Sequence, residues 1–132
     1  QHADLTVTVA APLADAEARL RAALAAEGFG VLTEIDVEGT LRSKLGDSEA
    51  DEVGPTRILG ACNPVLAHRA ITTERSVALL LPCNVVVREV EAGTEIAIAD
   101  PDAMVTMAGD ALDAIACDAR ERLVRVADAL RD

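Results

Sequence analysis

Aromatic side chains are almost absent from this chain of 132 residues, which has one phenylalanine, Phe29, and neither Trp nor Tyr. Since aromatic rings usually supply much of the buried volume of a core, aliphatic and alanine side chains must supply it here. Hydrophobic residues make up 51% of the chain, enough for one domain of this length to bury a core without disulfides or metal ions. We therefore expect a single domain over residues 1–132, in which helices pack closely on a sheet.

Positive charge is scarce as well. The chain has 12 Lys and Arg against 23 Asp and Glu, and its net charge is −11. Proteins that bind phosphate backbones draw their affinity from clustered basic residues, so nucleic acid and anionic membranes are not expected partners. The longest uncharged apolar stretch, from Ser76 to Val87, contains Pro82 and Asn84 and is too short to span a bilayer.

Several familiar motifs are missing. The sequence has no glycine-rich phosphate loop, no G-x-S-x-G element and no C-x-x-C or H-x-x-H zinc spacing. It has three cysteines and no secretory signal pattern, and an odd cysteine count favours reduced thiols in the cytoplasm over a disulfide framework. We assign no enzyme activity from the sequence.

The hydrophobic patterns predict an α+β fold, with a mixed or antiparallel sheet of about five strands, helices packed on it and a long C-terminal helix. Strands are predicted at residues 4–9, 29–37, 57–61, 77–90 and 94–99. Helices are predicted at residues 12–27, 39–45 and 64–72, with a short one from Asp100 and a long final one capped by Asp110. Residues 46–55 are predicted to form an acidic loop, and Pro82 is predicted to mark an edge position or a bulge.

Two cysteine–asparagine pairs, Cys62-Asn63 and Cys83-Asn84, end two apolar runs. Asn63 followed by Pro64 is typical of a helix start, and a helix N-terminus beside Cys62 favours its thiolate form. Asn84 has no such structural explanation, because Asn is disfavoured inside strands. We therefore expect a pocket near Cys83-Asn84, although a polar residue tolerated at a kink is the plainer alternative.

Three further residues are candidates. Lys44 is the only lysine, and Glu34 is a strand carboxylate with apolar neighbours; chance and a solvated face are the simpler explanations of these two. Met104 carries a thioether, which together with thiolates is a soft ligand set for copper(I). A methionine in a short amphipathic helix is more often core filler, and Met104 becomes a ligand candidate only if it faces the cysteines.

The runs 28–36, 40–45, 58–64 and 79–84, followed by Asp100-Pro101 and Met104, closely resemble the bacterial and archaeal family called domain of unknown function 302. The resemblance implies a small α+β fold that commonly forms homodimers, and it implies no established activity. The positions that match the family signature are Glu34, Lys44, Cys62, Asn63, Cys83 and Asn84. The segment 46–54 departs from the family pattern, being more acidic and without aromatic residues.

Three hypotheses follow for these residues. In the first, Cys62 and Cys83 share a thiol site, where Lys44 lowers the thiol pKa, Glu34 transfers protons and the two Asn amides orient a ligand. Such a site could bind a soft metal ion such as copper(I) or zinc, trap an electrophile or cycle through a disulfide. In the second, the protein is a non-catalytic homodimer that binds a small metabolite and has inert cysteines. In the third, the two asparagines only hold strand to helix.

Overall fold

The computed structural model describes residues 5–131 and has one five-stranded sheet at its centre. The strands are β1 (Thr6–Val9), β2 (Gly30–Asp36), β3 (Thr56–Cys62), β4 (Cys83–Val90) and β5 (Gly93–Ile98). Their order across the sheet is β1-β5-β4-β3-β2, and every neighbouring pair is antiparallel. The predicted α+β class, five strands and β4–β5 hairpin are confirmed.

Six α-helices accompany the sheet within the described residues. They are α1 (Leu13–Ala26), α2 (Val37–Leu45), α3 (Asp47–Val53), α4 (Pro64–Thr73), α5 (Ala103–Ala108) and α6 (Asp113–Leu130). Two short 3₁₀ helices, Arg75–Leu80 and Gly109–Leu112, lead into β4 and α6. The long C-terminal helix is therefore present as predicted, but it begins at Asp113 and no side chain caps it, so the predicted cap at Asp110 is wrong.

The buried side chains form two apolar clusters. The first joins one face of the sheet to α1 and to the C-terminal half of α6, through residues such as Leu20, Leu59 and Leu123. The second joins α4, α5 and the N-terminal half of α6, through residues such as Leu66 and Leu112. Because α6 runs through both clusters, it ties the sheet to the helical end of the molecule.

Among the described residues, no buried apolar cluster lies on the other face of the sheet. Strand register places Ile35, Ile58, Val86 and Ala97 in one row across four strands, and side-chain alternation directs this row away from the face that packs on α1 and α6. Ile35 is 47% exposed, and the other three are half-buried. The row is an apolar strip on a surface that the helices of the first cluster do not cover.

Two segment predictions are wrong. Residues 47–53 form α3, bounded by Gly46 and Gly54 at φ values of +110° and +77°, and not an acidic loop. In the predicted strand at residues 77–90, residues 77–80 belong to a 3₁₀ helix, and β4 starts only at Cys83, directly after Pro82. The register of β4 against β3 is regular, and the only irregular step that the strand pairings of the described residues record lies in β2 between Val31 and Thr33.

Among residues 5–131, none of the helices combines the length and the apolar character that crossing a membrane would require.

Candidate functional site

The two cysteines of the Cys–Asn pairs lie at the same end of neighbouring strands. Cys62 is the last residue of β3 and Cys83 is the first residue of β4. The antiparallel register sets Cys83 opposite Ala61, the residue before Cys62, so the two cysteines lie diagonally across the ends of the strand pair. All cysteines in the described chain are free thiols.

Both cysteines line one small cavity of about 20 Å³ between this end of the sheet and helices α4, α5 and α6. A volume of this size holds about one water-sized sphere. Apart from Asn63, every lining residue is aliphatic, aromatic or sulfur-bearing. The lining residues are Phe29, Ala61, Cys62, Asn63, Leu66, Ala67, Ala70, Leu81, Cys83, Met104, Ile115 and Ala119.

Met104 supplies a third sulfur to this cavity. It lies in α5 and is only 6% exposed, whereas Met107, one turn further along the same helix, is 41% exposed. Met104 is therefore a ligand candidate, since it lines the same cavity as Cys62 and Cys83. Three sulfur-bearing residues from three separate elements therefore line one small cavity.

Burial controls the chemistry of the two thiols. It raises the pKa of Cys62, and it raises the pKa of Cys83, where the nearby Cys62 adds to the effect. A raised pKa means that both are mostly protonated near pH 7. The expected lowering of the thiol pKa by Lys44 and by the helix N-terminus is therefore wrong, because desolvation outweighs any favourable charge.

Asn63 is held as a structural residue. Its Oδ1 accepts a hydrogen bond from the backbone N–H of Leu66 at 3.2 Å, which caps α4, with Pro64 in the first turn. Its Nδ2 donates to the carbonyl oxygen of Glu27 at 3.4 Å, which links α4 to the end of α1. The predicted helix cap is present, and these two hydrogen bonds engage both polar atoms of the Asn63 side chain.

Asn84 is exposed, and within the described chain its side-chain amide makes no hydrogen bond. It is therefore not a buried polar group in the strand. It lines a wider groove of about 330 Å³ beside the sulfur cavity. The groove is lined by Leu79, Leu80, Leu81, Pro82, Cys83, Asn84, Ala99, Asp100, Pro101, Ala103 and Met104.

Glu34 lies apart from the cysteines. It pairs with Arg21 at 2.7 Å and with Arg57, and both arginines also contact Glu17, at 3.0 and 3.1 Å, which closes a ring of alternating charges. In β2, the residue opposite Cys62 is Gly30. Glu34 lies four residues further along this strand, which is about 13 Å in an extended strand. Glu34 is thus an ion-pair partner, and direct proton transfer at the thiols is out of its reach.

Lys44 and Cys117 are exposed residues on helices. Lys44 lies near the end of α2 and lines a shallow surface depression with Asp36, and it does not line the sulfur cavity. Cys117 lies on α6, with its Sγ 3.7 Å from a carboxylate oxygen of Glu121. Of the six signature residues, the structure brings Cys62, Asn63 and Cys83 to the cavity and leaves Asn84 beside it.

Gly60 is a site residue that the sequence reasoning missed. It lies opposite Asn84, and a Cβ atom at its position would come within 2.6 Å of Cγ of Pro82 and 2.2 Å of Oγ1 of Thr33. Because Gly60 has no side chain, Pro82 can pack closely against β3, and β4 begins at the next residue, Cys83. A glycine inside an otherwise apolar strand was the available signal, because it often marks a close approach of neighbouring groups.

The donor set suits a soft ion better than a hard one. Within residues 5–131, no three His, Cys, Asp or Glu side chains cluster as they would to hold a metal ion. Closed zinc sites use four such ligands, and this cavity is lined by two cysteines and no His, Asp or Glu. The two thiols and the Met104 thioether are instead the soft ligands that copper(I) prefers.

The fold and the site together define a small α+β protein with a sulfur-lined cavity at one end of an antiparallel sheet. Residues 5–130 match the family model described as domain of unknown function DUF302, and the chain belongs to this family. It is similar to an uncharacterized conserved DUF302 protein from Bacillus stearothermophilus, whose crystal structure matches with a TM-score of 0.84 and 35% identity over 96% of both chains. No curated protein matches the chain.

Proposed function

We propose that this protein binds a single copper(I) ion through the sulfur atoms of Cys62, Cys83 and Met104. The observation that carries the proposal is the shared cavity of about 20 Å³, which is lined by these three residues from β3, β4 and α5. A space of this size admits one ion, and its lining offers sulfur as its main donor. Copper(I) accepts two or three sulfur ligands, whereas harder ions need oxygen ligands that the cavity does not offer.

The raised thiol pKa values argue against the other thiol chemistries. Trapping an electrophile or exchanging a disulfide depends on the thiolate fraction, and burial keeps that fraction small at Cys62 and Cys83. Metal binding tolerates a raised pKa, because the ion itself displaces the thiol protons. The site requires reduced cysteines, so we also propose that the protein works in the cytoplasm.

The test is an anaerobic titration of the reduced protein with copper(I) against bicinchoninate as a competing chelator. We expect one tightly bound ion per chain. Cys62→Ser and Cys83→Ser should each weaken binding by more than about 100-fold, since removing even an outer-shell partner of a metal site costs about 10–100-fold. Cys117→Ser is the matched control, because this third cysteine is exposed and lies outside the cavity, and it should bind copper(I) as the wild type does.

Two results would overturn the proposal. One is the absence of copper(I) binding to fully reduced protein; the other is binding that Cys117→Ser removes and Cys83→Ser retains. Because Cys62 and Cys83 are partly buried, circular dichroism of each apo variant must first show that the fold is intact. A folded Cys83→Ser variant with undiminished affinity would end the idea of a shared site.

We also propose that the protein forms homodimers through the apolar strip of Ile35, Ile58, Val86 and Ala97. The strip crosses four strands on a face that the α1–α6 layer leaves uncovered, and burying it would remove apolar area from water. Sedimentation equilibrium should give twice the chain mass, and Ile35→Glu should give the monomer. Leu45→Glu, which changes another exposed apolar residue outside the strip, should remain dimeric. A monomeric wild-type protein would refute this arrangement.

A further inference from the structure

The groove is a separate, wider space beside the sulfur cavity, and three residues line both spaces. Leu81, Cys83 and Met104 belong to the lining of the cavity of about 20 Å³ and to that of the groove of about 330 Å³. The cavity is too small for an ion together with water or a carrier ligand. An ion must therefore leave its previous ligands as it enters, and those ligands need a place outside the cavity.

The groove has the size and the chemistry of a small-molecule site. Its volume lies at the lower end of the range of about 300–1,000 Å³ that such sites occupy. Leu79, Leu80, Pro82 and Pro101 supply apolar walls, and the Asn84 amide offers one acceptor and two donors. This amide has no hydrogen-bond partner within the described chain, so it is available to the amide groups of a peptide-like ligand.

We propose that the groove binds a small peptide-like thiol, which delivers copper(I) to the cavity and takes it away. The proposal rests on the copper(I) site proposed above and names its exchange partner. Soft ions in a reducing compartment are held by thiolates, so the carrier must itself be a thiol compound. A thiol seated against Asn84 would have Cys83, which lines both spaces, as the first protein sulfur that its copper ion meets.

The transfer is a ligand exchange without redox change. Two copper–sulfur bonds to carrier thiolates break as two bonds to Cys62 and Cys83 form. The protons that leave these two cysteines pass to the released carrier thiolates, which depart as two neutral thiols. Copper stays in the +1 state throughout, and the reverse sequence unloads it.

Stopped-flow measurements on the apo protein test this inference, with the copper(I)–glutathione complex as the donor. We expect a transfer rate that saturates with donor concentration. Asn84→Ala should slow transfer at low donor concentration by about 2- to 10-fold, which is the loss expected for one hydrogen bond. Ala103→Trp, which fills the groove from its exposed wall, should slow transfer by more than Asn84→Ala does.

Two controls accompany these rates. Neither variant should change the equilibrium affinity measured against bicinchoninate. Transfer from mercaptoethanol, which has no amide, should be insensitive to Asn84→Ala.

A second probe separates this inference from the copper(I) site itself. S-methylglutathione has the peptide groups but no free thiol, so a nuclear magnetic resonance titration with it reports on the groove alone. We expect it to shift the Asn84 side-chain amide signals of the apo protein. The carrier proposal would be overturned if transfer did not saturate, neither variant had an effect and the Asn84 signals did not shift. Normal copper(I) affinity in the same protein would leave the proposed metal site intact. Shifts at Asn84 without any copper(I) binding would overturn the delivery role and leave a plain metabolite groove.

Discussion

Gly60 and Pro82 lie so close that a single added methyl group would not fit between them. A Cβ atom on Gly60 would come within 2.6 Å of Cγ of Pro82, the residue directly before β4. The contact sets how near the start of β4 lies to β3, and with it the position of Cys83 relative to Cys62. A residue without any side chain therefore takes part in shaping the sulfur cavity.

Gly60→Ala is predicted to destabilise the protein by about 1–3 kcal/mol, the usual cost of forcing extra volume into a packed site. Gly30→Ala is the matched control. Gly30 lies in the adjacent strand, opposite Cys62, and no atom lies within 4 Å of its Cβ position. Urea unfolding of both variants gives the comparison, and equal stability of the two would contradict the role assigned to the Gly60–Pro82 contact.

Asn63→Ala is predicted to lower the free energy of unfolding by about 1–2 kcal/mol, because it removes the cap of α4. It also removes the bond from Nδ2 to the Glu27 carbonyl. Asn63→Asp keeps the acceptor for the Leu66 N–H and loses only the donor, so it should be clearly less destabilising than Asn63→Ala. If thermal or urea unfolding ranks the two variants the other way, the cap is not the main contribution of this residue.

Met104→Leu is predicted to weaken copper(I) binding by about tenfold while leaving one ion per chain, because a neutral thioether is a weaker ligand than a thiolate. Leucine has a similar volume, so the fold should tolerate the change. Met107→Leu removes the other methionine of α5, which does not line the cavity, and should bind copper(I) normally. Chelator competition measures both, and equal affinities would remove Met104 from the ligand set.

Alkylation of Cys62 and Cys83 in the folded apo protein is predicted to be slow at pH 7 and to keep rising beyond pH 9. The reason is that burial raises the pKa of both thiols above the ordinary value of 9.0, and the thiolate is the reacting form. Cys117, whose pKa is also raised, chiefly by Glu121, is exposed and should label first. Mass spectrometry of the labelled peptides follows each site, and a rate at Cys83 that levels off below pH 8 would show a lowered pKa instead.

Glu34→Gln is predicted to leave copper(I) affinity unchanged and to lower stability by less than about 1 kcal/mol. The carboxylate is 49% exposed in its pairs with Arg21 and Arg57, and exposed ion pairs contribute little. Since it lies several residues along the sheet from the thiols, its loss should not reach the cavity. A marked fall in copper(I) affinity measured against bicinchoninate would restore Glu34 to the site.

The sequence predicts best where one local signal decides the structure. Gly93 predicts the β4–β5 hairpin, and Asn63 followed by Pro64 predicts the start of α4; both are present. The sequence predicts secondary structure least well where an apolar run has neither the periodicity of a helix nor that of a strand. The run Val77 to Leu81 suits a buried strand as well as a helix, and tertiary packing makes most of it 3₁₀ helix.

The site itself is predicted in part. The repeated Cys–Asn pairs mark the correct end of the sheet, because both follow apolar runs that become neighbouring strands. Glu34 and Lys44 were placed there by resemblance, and their side chains lie elsewhere, since sequence similarity does not fix which residues meet. Met104 could not be placed from its own helix; the packing of α5 against the 3₁₀ helices and α6 brings it to the cavity that the cysteines line.

The cavity lies where the two apolar clusters meet. Phe29 and Ala61 belong to the sheet cluster, and Leu66 and Met104 belong to the helical cluster, yet all four line it. We therefore expect a bound ion to couple the opening of the two regions, because segments of a protein can differ in opening free energy. On copper(I) binding, amide hydrogen exchange in α4 and α5 would slow to the rate observed in the sheet. The metal would then increase the cooperativity of unfolding as well as the stability of the fold.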